Sequence, residues 1–101
     1  MKKYIYLISD SNTYYYKIGI SNNPERRLKQ LSTGNQSKLK IIHKILCENY
    51  SAVEKALHNK YNFNKINLEW FELTDNDVDN FPTLCESINN NINTIKNFKM
   101  F

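Results

Sequence analysis

The stretch Tyr14-Tyr15-Tyr16-Lys17-Ile18-Gly19-Ile20-Ser21-Asn22-Asn23-Pro24-Glu25-Arg26-Arg27-Leu28-Lys29-Gln30-Leu31 decides how this chain folds. Its first part, residues 14–20, is aromatic and β-branched, which is the composition of a strand. At Asn23-Pro24-Glu25 the chemistry changes. Asn is a preferred N-cap, Pro fits the first helical position, and an early acid complements the positive end of a helix. A strand thus brings Lys17, and a helix Arg26 and Arg27, within a few residues of Gly19. The chain holds only two glycines. One placed at a strand end marks backbone that something approaches closely, a neighbouring strand or a ligand, with a phosphate the foremost candidate.

On the N-terminal side, residues 3–9 read as a partner strand, joined through the turn-forming Asp10-Ser11-Asn12-Thr13 to make a β-hairpin. Period two puts Ile5 and Leu7 on one face and Tyr4, Tyr6 and Ile8 on the other; on the second strand Tyr16, Ile18 and Ile20 oppose Tyr15, Lys17 and Gly19. Pairing the apolar sets in the core leaves Tyr6, Lys17 and Gly19 together on the opposite face, the one expected to be functional. In the helix, residues 24–32, Leu28 and Leu31 define the buried stripe at ~100° per residue. Arg26 points away from that stripe and Arg27 lies about 70° from its centre. Arg27 is therefore the arginine expected to reach Tyr6 and Lys17, while Arg26 faces water.

On the C-terminal side, Thr33-Gly34-Asn35 closes the helix with Gly34 as its cap. Residues 38–47 read as a third strand carrying His43. Ser51 is expected to cap a second helix running to about residue 63, with Val53, Ala56, Leu57 and Tyr61 on its apolar face and Glu54 and His58 along one border. A carboxylate on such a border can look into a cleft. Residues 68–73 read as a short strand, with Glu69 or Trp70 closing off the second helix and Trp70 in the core. Thr74 and Asp75 can cap a C-terminal helical segment, in which Val78, Phe81, Leu84, Ile88, Ile92 and Ile95 recur at helical spacing. Pro82 is expected to break this segment into a short turn and a helix over residues 83–98. That helix either simply covers the sheet or also offers its stripe as a homodimer contact. Residues 1–73 form the main α+β domain on this reading, and residues 74–101 a helical extension packed on it.

The totals bound the function. A chain of 101 residues is one small domain that can fold without staples. Cys47 and Cys85 stand 38 positions apart with no CxxC pair, so neither a disulfide framework nor a cysteine-based zinc site is expected. The apolar run after Met1-Lys2-Lys3 is too short for a signal-peptide core or a membrane span, so the expectation is an intracellular, cytoplasmic protein with no membrane partner. The net charge of +4 is unevenly spread. Residues 1–60 carry nine Lys and two Arg against four acids, and residues 61–101 three Lys against six acids, so net values of +7 and −3 divide the chain. A basic, tyrosine-rich front half suits a polyanion such as DNA, and the acidic tail argues against indiscriminate sticking.

With these elements in place, the ordered set Tyr4-Ile5-Tyr6, Lys17-Ile18-Gly19, Asn23-Pro24-Glu25-Arg26-Arg27-Leu28, Glu54-Lys55-Ala56-Leu57-His58 and Glu69-Trp70-Phe71 resembles the GIY-YIG nuclease domain, particularly its phage-associated branch. The resemblance spans about residues 3–73. It implies a small three-stranded antiparallel sheet flanked by helices, and a divalent-metal-dependent endonuclease acting on DNA with Mg²⁺ or Mn²⁺. By resemblance, Tyr6 matches the first-motif tyrosine, Gly19 the second-motif glycine, Arg27 the helix arginine and Glu54 the metal-binding glutamate. His43 and His58 are candidates for a histidine that some relatives use. Tyr4 departs from the first motif's glycine and Lys17 from the second motif's tyrosine. Some members of the branch are described as DNA-binding domains without demonstrated cleavage.

The residue types suit the chemistry. Phosphodiester hydrolysis needs an activated water, neutralisation of developing charge and help for the departing oxygen. Glu54 alone can hold Mg²⁺, an ion that keeps several waters. Arg27 presents a planar fork to phosphate oxygens and Lys17 a point charge. Tyr6 is a poor base at its free pKa of about 10, but a neighbouring Lys17 ammonium would favour its phenolate. Tyr6, Lys17, Arg27, Glu54, His43 and His58 are thus the catalytic candidates, and Lys17, Gly19, Arg26, Arg27, Lys29, Lys38 and Lys40 the expected DNA contacts. Each residue also has a plainer reading: tyrosines packed on a sheet, Glu54 as the helical partner of His58, His43 as a strand residue satisfied by a neighbour. Three functions are compatible with the pattern: a small endonuclease, a non-cleaving nucleic-acid binder, or a phage-type protein that reuses the fold to bind another partner or sequester a small anionic ligand.

Overall fold

The computed structural model describes residues 1–34 and 38–98. In chain order it comprises β1 (Lys3–Asp10), β2 (Tyr15–Ser21), α1 (Pro24–Ser32), β3 (Leu39–Cys47), α2 (Tyr50–Lys60), a 3-10 turn (Asn62–Asn64), β4 (Lys65–Asn67), β5 (Trp70–Glu72) and α3 (Asp75–Phe98). The class is α+β, as expected, but the sheet has five strands in the order β3-β1-β2-β5-β4, every pairing antiparallel. The two strands beyond the three that the resemblance implies form a hairpin of three residues each; β5 lies within the short strand read at residues 68–73, and β4 is unexpected. β4 is exposed throughout, so its sequence has no alternation to betray it.

The β1–β2 turn is closed by a bond from the Thr13 amide to the Asp10 carbonyl and a second from the Asn12 amide to the Asp10 carboxylate. Tyr14 falls in this turn and is exposed, one residue short of the strand predicted for it. α1 begins as its sequence requires, with the Asn23 side chain accepting from the Arg26 amide at 3.1 Å. Its last turn is closed by Thr33, whose amide and hydroxyl both donate to the Lys29 carbonyl; Gly34, the expected cap, comes next in the left-handed conformation at φ +73°. Asn35 lies outside the described residues.

Cross-strand register sorts the faces. Ile5 pairs with Ile20 and Leu7 with Ile18, and this side packs against Val53 and Leu57 of α2 and Phe81 and Cys85 of α3 to form the core. Tyr6 opposite Gly19 and Ile8 opposite Lys17 take the other side. There α1 lies over the sheet: Glu25 of α1 is ion-paired with Lys44, which stands opposite Tyr6 across the β1–β3 ladder. The face expected to be functional is therefore covered, with Tyr6 2 % and Lys17 5 % exposed.

Two helix expectations are corrected. Ser51 does not cap α2; the cap is Asn49, whose side chain is turned instead toward Asn89 and Asn93 of α3, donating to each at 2.8 Å. Nor does Pro82 break α3, which runs unbroken from Asp75 to Phe98. A proline at position 82 has no amide to give the Val78 carbonyl. The His43 ring fills that vacancy, its Nε2–H donating to the Val78 oxygen at 2.9 Å. The helix starts on a reciprocal cap, in which the Asp77 amide donates to the Thr74 hydroxyl and the Thr74 amide to the Asp77 carboxylate. Cys85, absent from the expected stripe, is fully buried, and burial pushes its thiol up to about 12; Ile95, included in that stripe, is exposed. No helix among the described residues is long and apolar enough to cross a membrane.

Candidate functional site

β5 pairs with only the first part of β2. The ladder runs from Tyr15 opposite Glu72 to Lys17 opposite Trp70 and ends with the Ile18 amide donating to the Glu69 carbonyl at 3.2 Å. Residues 19–21 then have β1 on one side and no strand on the other. The result is a notch in the sheet at which its two faces meet. The amide and carbonyl of one strand residue point to the same side, so the Ile18 carbonyl faces this notch, and His58 of α2 donates its Nε2–H to it at 3.0 Å. A carbonyl can only accept, so Nε2 carries a proton, and in the neutral tautomer the lone pair is on Nδ1. Phe71 holds the ring edge-to-face at 4.9 Å.

From the opposite face comes Tyr6. A Cβ on Gly19 would lie 2.3 Å from the Tyr6 hydroxyl oxygen and 2.5 Å from Cζ, so the phenol passes across the bare Cα of Gly19 toward the notch. The close approach that this glycine signals is thus made by a neighbouring strand's side chain, and the space that a phosphate would have taken is occupied by Tyr6. A hydrogen bond and positive charge from Arg27 act on the phenol, as do the charges of Glu69 and Glu54. Burial outweighs them and holds its pKa above the ordinary tyrosine value. Lys17 is not among the groups that act on it, which corrects the expectation that this ammonium depresses Tyr6.

The notch opens into a cleft of about 650 Å³. β2 contributes Lys17, α1 contributes Arg27, α2 contributes Glu54 and His58, β4 contributes Lys65 and Asn67, and the β4–β5 turn and β5 contribute Leu68, Glu69 and Trp70. Glu54 is half-buried, and burial raises its carboxyl above the usual range; the His58 and Lys17 charges oppose that shift and the Glu69 charge adds to it. Lys17 is ion-paired with Glu69, and its ammonium lies 5.9 Å from the Trp70 ring centroid. Its charge is therefore matched within the protein, which corrects the expectation of a lysine free for phosphate.

Tyr6, Lys17, Arg27, Glu54 and His58 are thus brought to one place by two strands and two helices. His43 is not. It stands opposite Leu7 on the core side of the sheet, stacks on Phe81 at 6.1 Å and satisfies Val78, so its place is structural. Lys29, Lys38 and Lys40 are exposed but line no part of the cleft. Arg26, exposed as expected, joins Arg27 in a separate shallow depression at the start of α1. Sequence reasoning misses Glu69, to which it gives only a capping role, and places Trp70 in the core although it is half-buried in the cleft wall. The available signal was Lys17 itself: a lysine inside an otherwise apolar strand needs a buried counter-charge. Among the described residues no group of three or more His, Cys, Asp and Glu is arranged to hold a metal ion.

A sequence model of one protein family, described as the T5orf172 domain, matches residues 3–86. The matched span takes in all five strands, α1 and α2, and the first half of α3. No curated protein and no solved structure matches the chain.

Proposed function

Since the chain belongs to the T5orf172 domain family, we propose that it is a small metal-dependent endonuclease of the GIY-YIG type that hydrolyses DNA phosphodiester bonds. The observation that carries this reading is the meeting of Tyr6, Arg27, Glu54 and His58 at one notch, from three elements and both faces of the sheet. Arg27 donates to the Gln30 side chain at 3.4 Å and hydrogen-bonds Tyr6, but takes part in no ion pair among the described residues, so its positive charge is unmatched and suits a phosphate. Tyr6, protonated at neutral pH, donates its hydroxyl hydrogen to a phosphate oxygen instead of serving as a base. His58, with Nε2–H held by Ile18, has Nδ1 to accept the proton of the attacking water. Glu54 fits a hard cation that keeps most of its waters, with Glu69 the second cleft carboxylate. A divalent ion there supplies positive charge to the phosphate and acidifies water.

The test is supercoiled plasmid incubated with Mg²⁺ or Mn²⁺. Wild type is expected to nick it, and Glu54→Ala and Arg27→Ala to lose on the order of 100-fold or more of that rate. Plasmid left intact by wild type with both metals rejects the enzyme reading.

A second reading, a DNA-binding module that does not cleave, is favoured by one observation: the phenol is buried with a raised pKa and the neighbouring lysine is neutralised by Glu69. That protein would bind DNA with a steep salt dependence and leave plasmid intact.

A further inference from the structure

The β4–β5 hairpin turns through Leu68 and Glu69, between the paired residues Asn67 and Trp70. Two-residue hairpin loops demand a positive φ at their first position, which is why glycine dominates there. Here the position holds leucine at φ +36°, the one non-glycine residue with a positive φ among those described. Such a backbone carries strain for any residue with a side chain. Packing does not repay it, because Leu68 is 81 % exposed. The side chain stands at the lip of the cleft, directly before Glu69, and on the same hairpin Lys65 lines the cleft without an ion-pair partner among the described residues.

We infer that Leu68 is a DNA wedge: its apolar side chain presses into the stack of a duplex whose phosphate occupies the cleft, loosening the adjoining base step. This rests on the reading of the cleft as a DNA site. Three features select a nucleic acid over a protein surface or a lipid. Arg27 and Lys65 put uncompensated positive charge beside the leucine. Most of the side chains that line the cleft behind it are charged or polar. A single apolar side chain between phosphate contacts is also how proteins unstack and kink a duplex, the phosphate contacts offsetting the cost of unstacking. Seating the wedge on a tight turn that also carries Glu69 ties its position to the Lys17 ion pair, so the strand distortion and the phosphate site keep one geometry.

The experiment compares wild type, Leu68→Ala and Leu68→Gly on a duplex oligonucleotide containing 2-aminopurine, in EDTA so that nothing is cut. Affinity is read by anisotropy and unstacking by the rise in 2-aminopurine fluorescence. Wild type is expected to bind and to raise the fluorescence severalfold. Leu68→Gly is expected to bind about tenfold more weakly, to leave the base stacked, and to melt at or above the wild-type temperature because glycine relaxes the turn. Leu68→Ala, with its Cβ retained but the wedge removed, should lose the fluorescence rise as fully. Wild-type binding with no fluorescence rise, or a rise undiminished in both variants, overturns the wedge and leaves the DNA site standing. A Leu68→Gly protein that melts lower assigns Leu68 to packing, and a wild-type dimer that this substitution dissolves assigns it to a contact between two copies; either overturns the wedge. No duplex binding by wild type removes both the wedge and the DNA site.

Discussion

Lys17 and Glu69, 52 residues apart in the chain, share one ion pair but not one environment: the lysine side chain is 7 % exposed and the glutamate side chain 41 %. The two ends of the pair should therefore respond differently to loss of the other. Glu69→Gln leaves an ammonium inside the protein and is expected to cost about 3 kcal/mol. Lys17→Met leaves a carboxylate that water can reach and fills the space with an apolar stem, so its cost is expected to stay below about 1 kcal/mol. Urea unfolding of the two variants checks this, and equal costs would contradict it.

His43 and Pro82 are expected to be thermodynamically coupled. His43→Phe retains a ring to stack on Phe81 but removes the donor to Val78, leaving that carbonyl without a partner at a cost of about 1–3 kcal/mol. In a Pro82→Ala background the restored amide of residue 82 can take over the Val78 carbonyl. The same His43→Phe change should then cost at least about 1 kcal/mol less, as a double-mutant cycle measured by denaturation will show.

Gly19→Ala is expected to damage the protein through Tyr6 and not through the backbone. The added methyl would stand 2.3 Å from the hydroxyl oxygen, so the ring must leave the notch, at a cost of about 1–3 kcal/mol. In a Tyr6→Ala background the same glycine substitution should be close to neutral. DNA cleavage by Gly19→Ala should fall to the level of Tyr6→Phe, since both remove the hydroxyl from its place over Gly19 and beside Arg27.

Glu54 gives a pH dependence with a defined sign. Its folded-state pKa is raised, chiefly by burial, so the native protein holds this proton to higher pH than the unfolded chain does. Stability is full below the unfolded pKa, about 4.3, and falls as pH rises through the folded value. Glu54→Gln should abolish that part of the fall: its melting temperature should overtake that of wild type as pH is raised from about 4 to about 7. Metal-dependent cleavage should move oppositely, with the acid limb of its profile above the ordinary carboxylate range and activity lost in EDTA.

Much of this architecture was legible because local chemistry and tertiary role coincide. Asn23-Pro24 starts α1 where it must, and strand parity places Tyr6, Gly19 and Lys17 on one side of the sheet. Helical angle separates a half-buried Arg27 from an exposed Arg26. What escaped was long-range compensation. Pro82 carries a local signal to stop a helix, and only His43, 39 positions away, cancels it. Asn49 gives up a helix-capping bond because two asparagines of α3 lie within reach. Lys17 looks like a free charge until Glu69 is folded beside it. β5 falls within the short strand read at residues 68–73, but its hairpin partner β4 is too short and too exposed to carry a periodic pattern.

The early end of the β5 ladder also constrains how the fold can vary. Lengthening the β4–β5 hairpin by one residue pair on each strand would extend the ladder along residues 19–21, gain backbone hydrogen bonds and seal the gap where Arg27, Glu54 and Tyr6 converge. Such a chain would be sturdier. On the function proposed above, the truncated strand, usually counted as a defect, is the aperture through which a phosphate would reach the cleft, and hairpin length becomes the dial between robustness and reactivity.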